Sequence, residues 1–133
     1  MTTDLVWLTL SAVLAASLWL PYVVGAARTR GPVPADFVRP PDLREMAPWI
    51  HRAHRAHLNT METLAPFAAV VLVAQAAGVS TVVTATASVA FFWLRLAHAV
   101  GMIAGWAGYP LRPMLCTASW LCTLALAAAL LAA

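Results

Sequence analysis

Lysine is absent from this chain, and carboxylates are scarce: five Asp and Glu stand against eight basic residues, every one an arginine, for a formal net charge of +3. Charged residues make up 10% of the 133 positions, where a soluble domain carries roughly 25%. So few charges exclude a soluble globular protein, and the lack of a basic stripe interleaved with aromatics excludes a nucleic-acid surface. Cysteine is nearly absent too. Cys116 and Cys122 lie in one apolar run and on a helix diverge by about 120°, which excludes a bridge between them. No CxxC or Cys/His ligand spacing occurs, so no zinc site is expected. Both thiols read as lipid-facing or packing residues, since free cysteine behaves as a small hydrophobe.

What the chain has in quantity is uncharged length. Leu5 to Ala27 contains no charge and is long enough for one bilayer crossing with some tilt. Asp4 stands where a signal peptide would carry a basic residue, which argues against a cleaved leader. Trp7 suits an interface anchor and Trp19 a packing role. Pro21 removes the amide that would serve the Ser17 carbonyl and predicts a kink. The segment 28–48 is the one long polar connection, with five of the nine prolines and four of the arginines. No packed element is expected in it before about Asp42, which suits the cap of a following helix; Pro48 argues for a break or a late start there.

Three further crossings follow, at about 50–78, 81–107 and 111–131. The whole chain, 1–133, is thus expected to form a single all-α membrane domain, a bundle of four transmembrane helices. Gly78-Val-Ser-Thr81 reads as a tight turn, Gly108 to Pro113 as the last connection, and Pro110 or Pro113 suits a first helical turn. Gly101-Met-Ile-Ala-Gly105 is a small-xxx-small pattern, an allowance for close helix packing or a chance feature of a Gly/Ala-rich span. Arg28, Arg30, Arg39, Arg44, Arg52 and Arg55 fall between the first and second crossings, and Arg112 between the third and fourth. The positive-inside rule then places both connections in the cytoplasm and both termini outside.

One stretch concentrates the chemistry. On a helix, Arg55, Asn59, Glu62 and Pro66 fall within about 60° of one another. The uncharged run after Glu62 is too short for a crossing by itself, so Asn59 and Glu62 are drawn inside the membrane boundary. A carboxylate there costs up to about 2.5–3.5 kcal/mol and should face protein and have a partner. Arg95 and His98 lie in the third crossing, and Phe91, Arg95, His98 and Met102 share a face. Topology gathers Arg28, Arg55, Asn59, Glu62, Arg95, His98 and Arg112 at one membrane face, around one cavity. With cations in excess of the single carboxylate, such a cavity favours an anionic ligand. The bland alternatives are a structural Glu62–Arg95 ion pair, interfacial solvation of Arg55 and Asn59, and a packing role for His98. His51, His54 and His57 point around the helix and read as headgroup-level residues, with no metal-ligand pair among them. Arg30, Arg39 and Arg44 read as topology and headgroup charges.

The run Arg55-Ala-His-Leu-Asn-Thr-Met-Glu-Thr-Leu-Ala-Pro-Phe67 resembles the signature helix of the MAPEG family, the membrane-associated proteins of eicosanoid and glutathione metabolism. Gly25-Ala-Ala-Arg28, Arg95-Leu-Ala-His98 and Pro110-Leu-Arg112 support the resemblance, which spans the whole chain. It implies a homotrimer of four-helix protomers, with glutathione as co-substrate held between neighbours by Arg28, Arg55, Asn59, Glu62, His98 and Arg112; Arg95, a member of the expected cluster, is counted with them as a binding residue. It further implies that Arg112 acts on the thiol in catalysis and that a lipophilic substrate arrives from the surrounding lipid. Guanidinium forks suit the two carboxylates of glutathione, Glu62 its ammonium, and a lowered thiol pKa yields the nucleophilic thiolate. Eicosanoid-type members differ in carrying a second arginine where this chain has Leu58, tyrosine where it has Met102, and a hydroxyl residue near Pro113. Three functions follow: a glutathione-dependent transferase or peroxidase; a protein of the same fold that binds another anionic or lipid ligand without glutathione chemistry; and a small four-helix transporter with Glu62 as coupling carboxylate. The last is disfavoured, since no inverted repeat is evident. An arginine-only, alanine-rich chain also suggests a bacterial inner-membrane protein from a GC-rich genome.

Overall fold

The computed structural model describes residues 1–29 and 42–133; the expectation that 28–48 lacks a packed element before Asp42 falls mostly outside them. Among the described residues there are five α-helices: α1 (Thr3–Ser17), α2 (Trp19–Thr29), α3 (Pro48–Ala76), α4 (Val82–Ala104) and α5 (Leu111–Leu131), with a 3-10 turn at Leu43–Glu45 before α3. Taking α1 and α2 together, four helical stretches are long and apolar enough to cross a membrane. Among the described residues there is no strand.

The first crossing divides where proline chemistry requires it. Pro21 has no amide for the Ser17 carbonyl, and helix assignment lapses at Leu18, whose N–H turns back to Leu14 and Ala15 carbonyls. In α3, Pro48 occupies the first turn, where its missing donor is harmless, so the helix starts earlier than its proline suggests. Asp42 caps a different element: its Oδ1 accepts from the Arg44 amide at 2.9 Å, closing the 3-10 turn. Pro66 sits inside α3, which continues past it.

The α3–α4 connection is a Schellman turn. Gly78 takes φ 72°, Val79 N–H reaches the Ala74 carbonyl at 2.9 Å, and Gly78 N–H reaches that of Gln75 at 3.1 Å. A reciprocal capping box then opens α4: the Thr84 amide donates to Thr81 Oγ1 at 3.2 Å, and the Thr81 amide to Thr84 Oγ1 at 2.9 Å. At the far end Gly105 turns left-handed at φ 92°, and the Gly101 carbonyl accepts from both Gly105 and Ala107. A Cβ on Gly101 would meet Ala107 Cβ at 2.7 Å. The small-xxx-small pattern therefore serves this chain reversal, not the approach of a separate helix.

α4 is the packing centre, touching α5, α3 and α1. Ala53, Ala56, Thr60, Leu64, Phe67, Val71 and Ala74 form the buried stripe of α3, and Phe67 stacks face to face on Phe91 of α4, centroids 3.8 Å apart and planes within 2°. α5 buries only Ser119 and Leu126; apolar side chains elsewhere on it, such as Met114, Trp120 and Leu121, face outward. At this end of the bundle Asp4 is 1% exposed. Its carboxylate accepts from Ser80 Oγ at 3.1 Å, Ser88 Oγ at 3.3 Å and Gln75 Nε2 at 3.4 Å, tying α1 to α3, α4 and the turn between them.

Candidate functional site

The opposite end of the bundle carries the arginines. Between α3, α5 and the Ala107–Tyr109 connection lies a cleft of about 400 Å³, lined by His51, Arg52, Arg55, Met102, Arg112 and Pro113 among others. Arg52 is built into its wall. Its Nε donates to the Met102 carbonyl at 2.9 Å and its Nη2 to that of Ile103 at 3.4 Å, so a guanidinium closes the carbonyl end of α4, where the helix dipole favours a cation. Gly105 permits this approach: a Cβ there would stand 3.0 Å from Arg52 Nη2. Arg55, one turn along from Arg52, is exposed and Arg112 half-buried; both have their charge available to the cleft.

Deeper in the span, Arg95 is fully buried. Its Nη1 donates to Asn59 Oδ1 and Thr63 Oγ1, each at 2.9 Å, and its Nη2 to Cys116 Sγ at 3.7 Å. The Cys116 thiol donates in turn to Asn59 Oδ1 at 3.7 Å. Three helices thus meet on one guanidinium. His98, one turn beyond Arg95 toward the cleft, is also fully buried; among the described residues neither ring nitrogen has a partner, and Arg95 Nε lacks one as well. Buried nitrogens in this condition call for a ligand or water.

The single chain therefore divides the expected constellation. Arg55 and Arg112 line the cleft; Asn59 and Arg95 are joined by a hydrogen bond; His98 follows Arg95 on α4. Arg28 and Glu62 are exposed on the outside of the protomer. The structural Glu62–Arg95 pairing does not describe the arrangement, because the partners of Arg95 are neutral groups on α3 and α5. The expected stripe of Arg55, Asn59, Glu62 and Pro66 divides: Asn59 turns in to Arg95, whereas Arg55, Glu62 and Pro66 are exposed, so within the protomer Glu62 does not face protein as expected. Cys116 is also corrected: it belongs to the polar cluster, whereas Cys122 packs on the apolar core as expected. The available signal was position, for Cys116 follows Arg112 by four residues and shares its helical face. Arg52, counted with the charges that orient the chain, proves structural, and its local sequence carries no signal of a contact 50 residues away.

Fold and site define a polytopic helical membrane protein with a cationic cleft at one end of the bundle. The MAPEG family profile matches residues 5–132, and the chain belongs to that family of membrane proteins of eicosanoid and glutathione metabolism. No curated protein matches the chain.

Proposed function

We propose that this protein is a glutathione-dependent transferase or peroxidase of the inner membrane, working as a homotrimer with its arginine end in the cytoplasm. The observation that carries the reading is the cleft into which Arg55 and Arg112 project from different helices. Two guanidiniums fit a small ligand with two carboxylates, because each can engage a carboxylate through a planar fork. Unpartnered nitrogens on His98 and Arg95 offer further hydrogen bonds one to two turns deeper.

The outer face supports a neighbouring subunit. Glu62 lies inside the span and is exposed on the protomer. A carboxylate against lipid is costly, and a neighbouring subunit removes that cost. Glutathione between neighbours would bring Arg28 and Glu62 into the same binding site as Arg55, Asn59, Arg95 and His98, with Glu62 opposite the ligand's ammonium. Arg112, at the first turn of α5, would hold the thiol as thiolate, helped by the helix N-terminus. The remaining task is to position that sulfur against an electrophile dissolved in the lipid and to exclude other nucleophiles.

A second reading, a ligand of other anionic or lipid chemistry, is favoured by one feature. Met102 and Pro113 both line the cleft, so apolar groups stand where eicosanoid-type relatives present hydroxyls. The two readings separate in one experiment. Protein in detergent is titrated with glutathione by calorimetry, and conjugation to a nitroaryl halide is followed in parallel. The first reading expects saturable binding that Glu62→Gln weakens. It is lost if wild type neither binds nor turns over while Glu62→Gln alters stability alone.

A further inference from the structure

We propose that Cys116 is itself a nucleophilic site, one that captures lipophilic α,β-unsaturated carbonyl compounds by conjugate addition. Arg95 is a fully buried cation, and of its three partners Asn59 and Thr63 cannot carry negative charge. The sulfur of Cys116 is the nucleophile among them, and the guanidinium 3.7 Å away stands beside the charge that the sulfur exchanges as it attacks. The thiol proton already has an acceptor in Asn59 Oδ1, and Arg95 Nη2 is aimed at the sulfur.

The second observation concerns the electrophile. Arg95 Nε–H is buried with no partner, as are both nitrogens of His98 one turn away. On the same guanidinium that holds the sulfur there is thus a spare donor for a carbonyl oxygen as it gains charge, the arrangement that stabilises an enolate. In the reaction, a sulfur electron pair forms the S–C bond at the β-carbon and the C=C π bond breaks. Its electrons pass to the carbonyl oxygen, and the proton lost from sulfur ends on the α-carbon. No oxidant, reductant or second thiol is required, so the addition proceeds without glutathione, although it draws on Arg95 and Asn59, which the proposed glutathione site also uses. The lipophilic class follows from location: Cys116 is half-buried in a span whose neighbouring side chains, Met114 and Trp120, face outward.

Cys122 supplies an internal control, equally half-buried but set on the apolar core. The full protein in phospholipid nanodiscs is treated with 2-nonenal, with nonanal as the saturated control, and adducts are mapped by peptide mass spectrometry over time. Cys116 is expected to react at least about tenfold faster than Cys122, in line with activation of a thiol by a neighbouring arginine. Cys122→Ser keeps the fast adduct and Cys116→Ser abolishes it. In folded Arg95→Gln the Cys116 rate falls to that of Cys122. Equal rates for the two thiols in wild type overturn the proposal, whether or not Arg95→Gln folds. An undiminished Cys116 rate in folded Arg95→Gln overturns it as well.

Discussion

Arg95 and Asn59 meet at 2.9 Å, and the same Arg95 nitrogen reaches Thr63 one turn further along α3, also at 2.9 Å. A single guanidinium on α4 thus clasps two successive turns of its neighbour. Hydrogen bonds to buried charges contribute about 1.5–3 kcal/mol, although side-chain hydrogen bonds in membranes average nearer ~0.6 kcal/mol. The charge and full burial of Arg95 decide for the upper range. Asn59→Leu should therefore destabilise the protein by about 2 kcal/mol. Thr63→Val should cost less, because it removes one acceptor of Arg95, whereas Asn59 Oδ1 accepts from both Arg95 and Cys116. Unfolding in mixed micelles by a denaturing detergent measures both. If Thr63→Val proves the costlier change, the assignment of Asn59 as the main partner is wrong.

Two glycines with positive φ separate backbone strain from crowding. Gly78 has φ 72° and open space around it; Gly105 has φ 92° and Arg52 Nη2 at 3.0 Å from a built Cβ. Alanine at either position incurs the left-handed penalty of roughly 1–2 kcal/mol. At Gly105 it also pushes Arg52 off the Met102 and Ile103 carbonyls. Gly105→Ala should exceed Gly78→Ala by about 1 kcal/mol, the scale of a helix-end cation. Arg52→Met should abolish most of that difference. Hydrogen exchange at the end of α4 should rise in Gly105→Ala and stay unchanged in Gly78→Ala.

Asp4 makes a comparable test at the other end. Three donors converge on it, yet one keeps an alternative: Ser88 Oγ also donates to the Thr84 carbonyl at 2.9 Å. Asp4→Leu should accordingly cost about 1–3 kcal/mol, the range for leaving a buried partner group unpaired, and not the sum of three charged bonds. Asp4→Asn retains an acceptor and should cost less than half as much. Thermal unfolding followed by circular dichroism distinguishes them. Equal losses for the two substitutions would mean that charge, not acceptor capacity, holds the cluster.

The helices were legible because their signals are local. Leu111 to Leu131 was expected as the fourth crossing and is α5, since uncharged length and a leading proline need no partner to be read. That Arg55, Glu62 and Pro66 share a side of α3 follows from angle alone, but angle did not reveal that Asn59 turns in to Arg95 or that Glu62 is exposed on the protomer. Asp4 was not: a carboxylate near a terminus looks solvated until the fold brings Ser80 and Ser88 to it. Cys116 was misread because the cation beside it comes from another helix, 21 positions away in sequence. Asp42 was assigned to the wrong cap because a 3-10 turn of three residues leaves no periodicity to detect.

Arg55 and Arg112 provide the test of the site itself, because among the described residues neither side chain takes part in the hydrogen bonds that hold the bundle, and both line the cleft. If the ligand is a dicarboxylate such as glutathione, each arginine contributes a charge-assisted pair. Arg55→Leu and Arg112→Leu should each weaken binding by about 1.5–3 kcal/mol, on the order of 10–150-fold, with little change in stability. The two should differ in salt dependence. Arg55 is exposed and Arg112 half-buried, so raising ionic strength to about 1 M, where the screening length falls to ~3 Å, should erode the Arg55 contribution more. Their effects on rate should differ as well. A role at the thiol makes Arg112→Leu lower kcat along with kcat/KM, whereas loss of a carboxylate contact at Arg55 raises KM with kcat preserved. Calorimetry at two salt concentrations and steady-state kinetics with a nitroaryl halide read both distinctions. Identical kinetic signatures for the two variants would remove the assignment of Arg112 to the sulfur and leave both arginines as ligand anchors only.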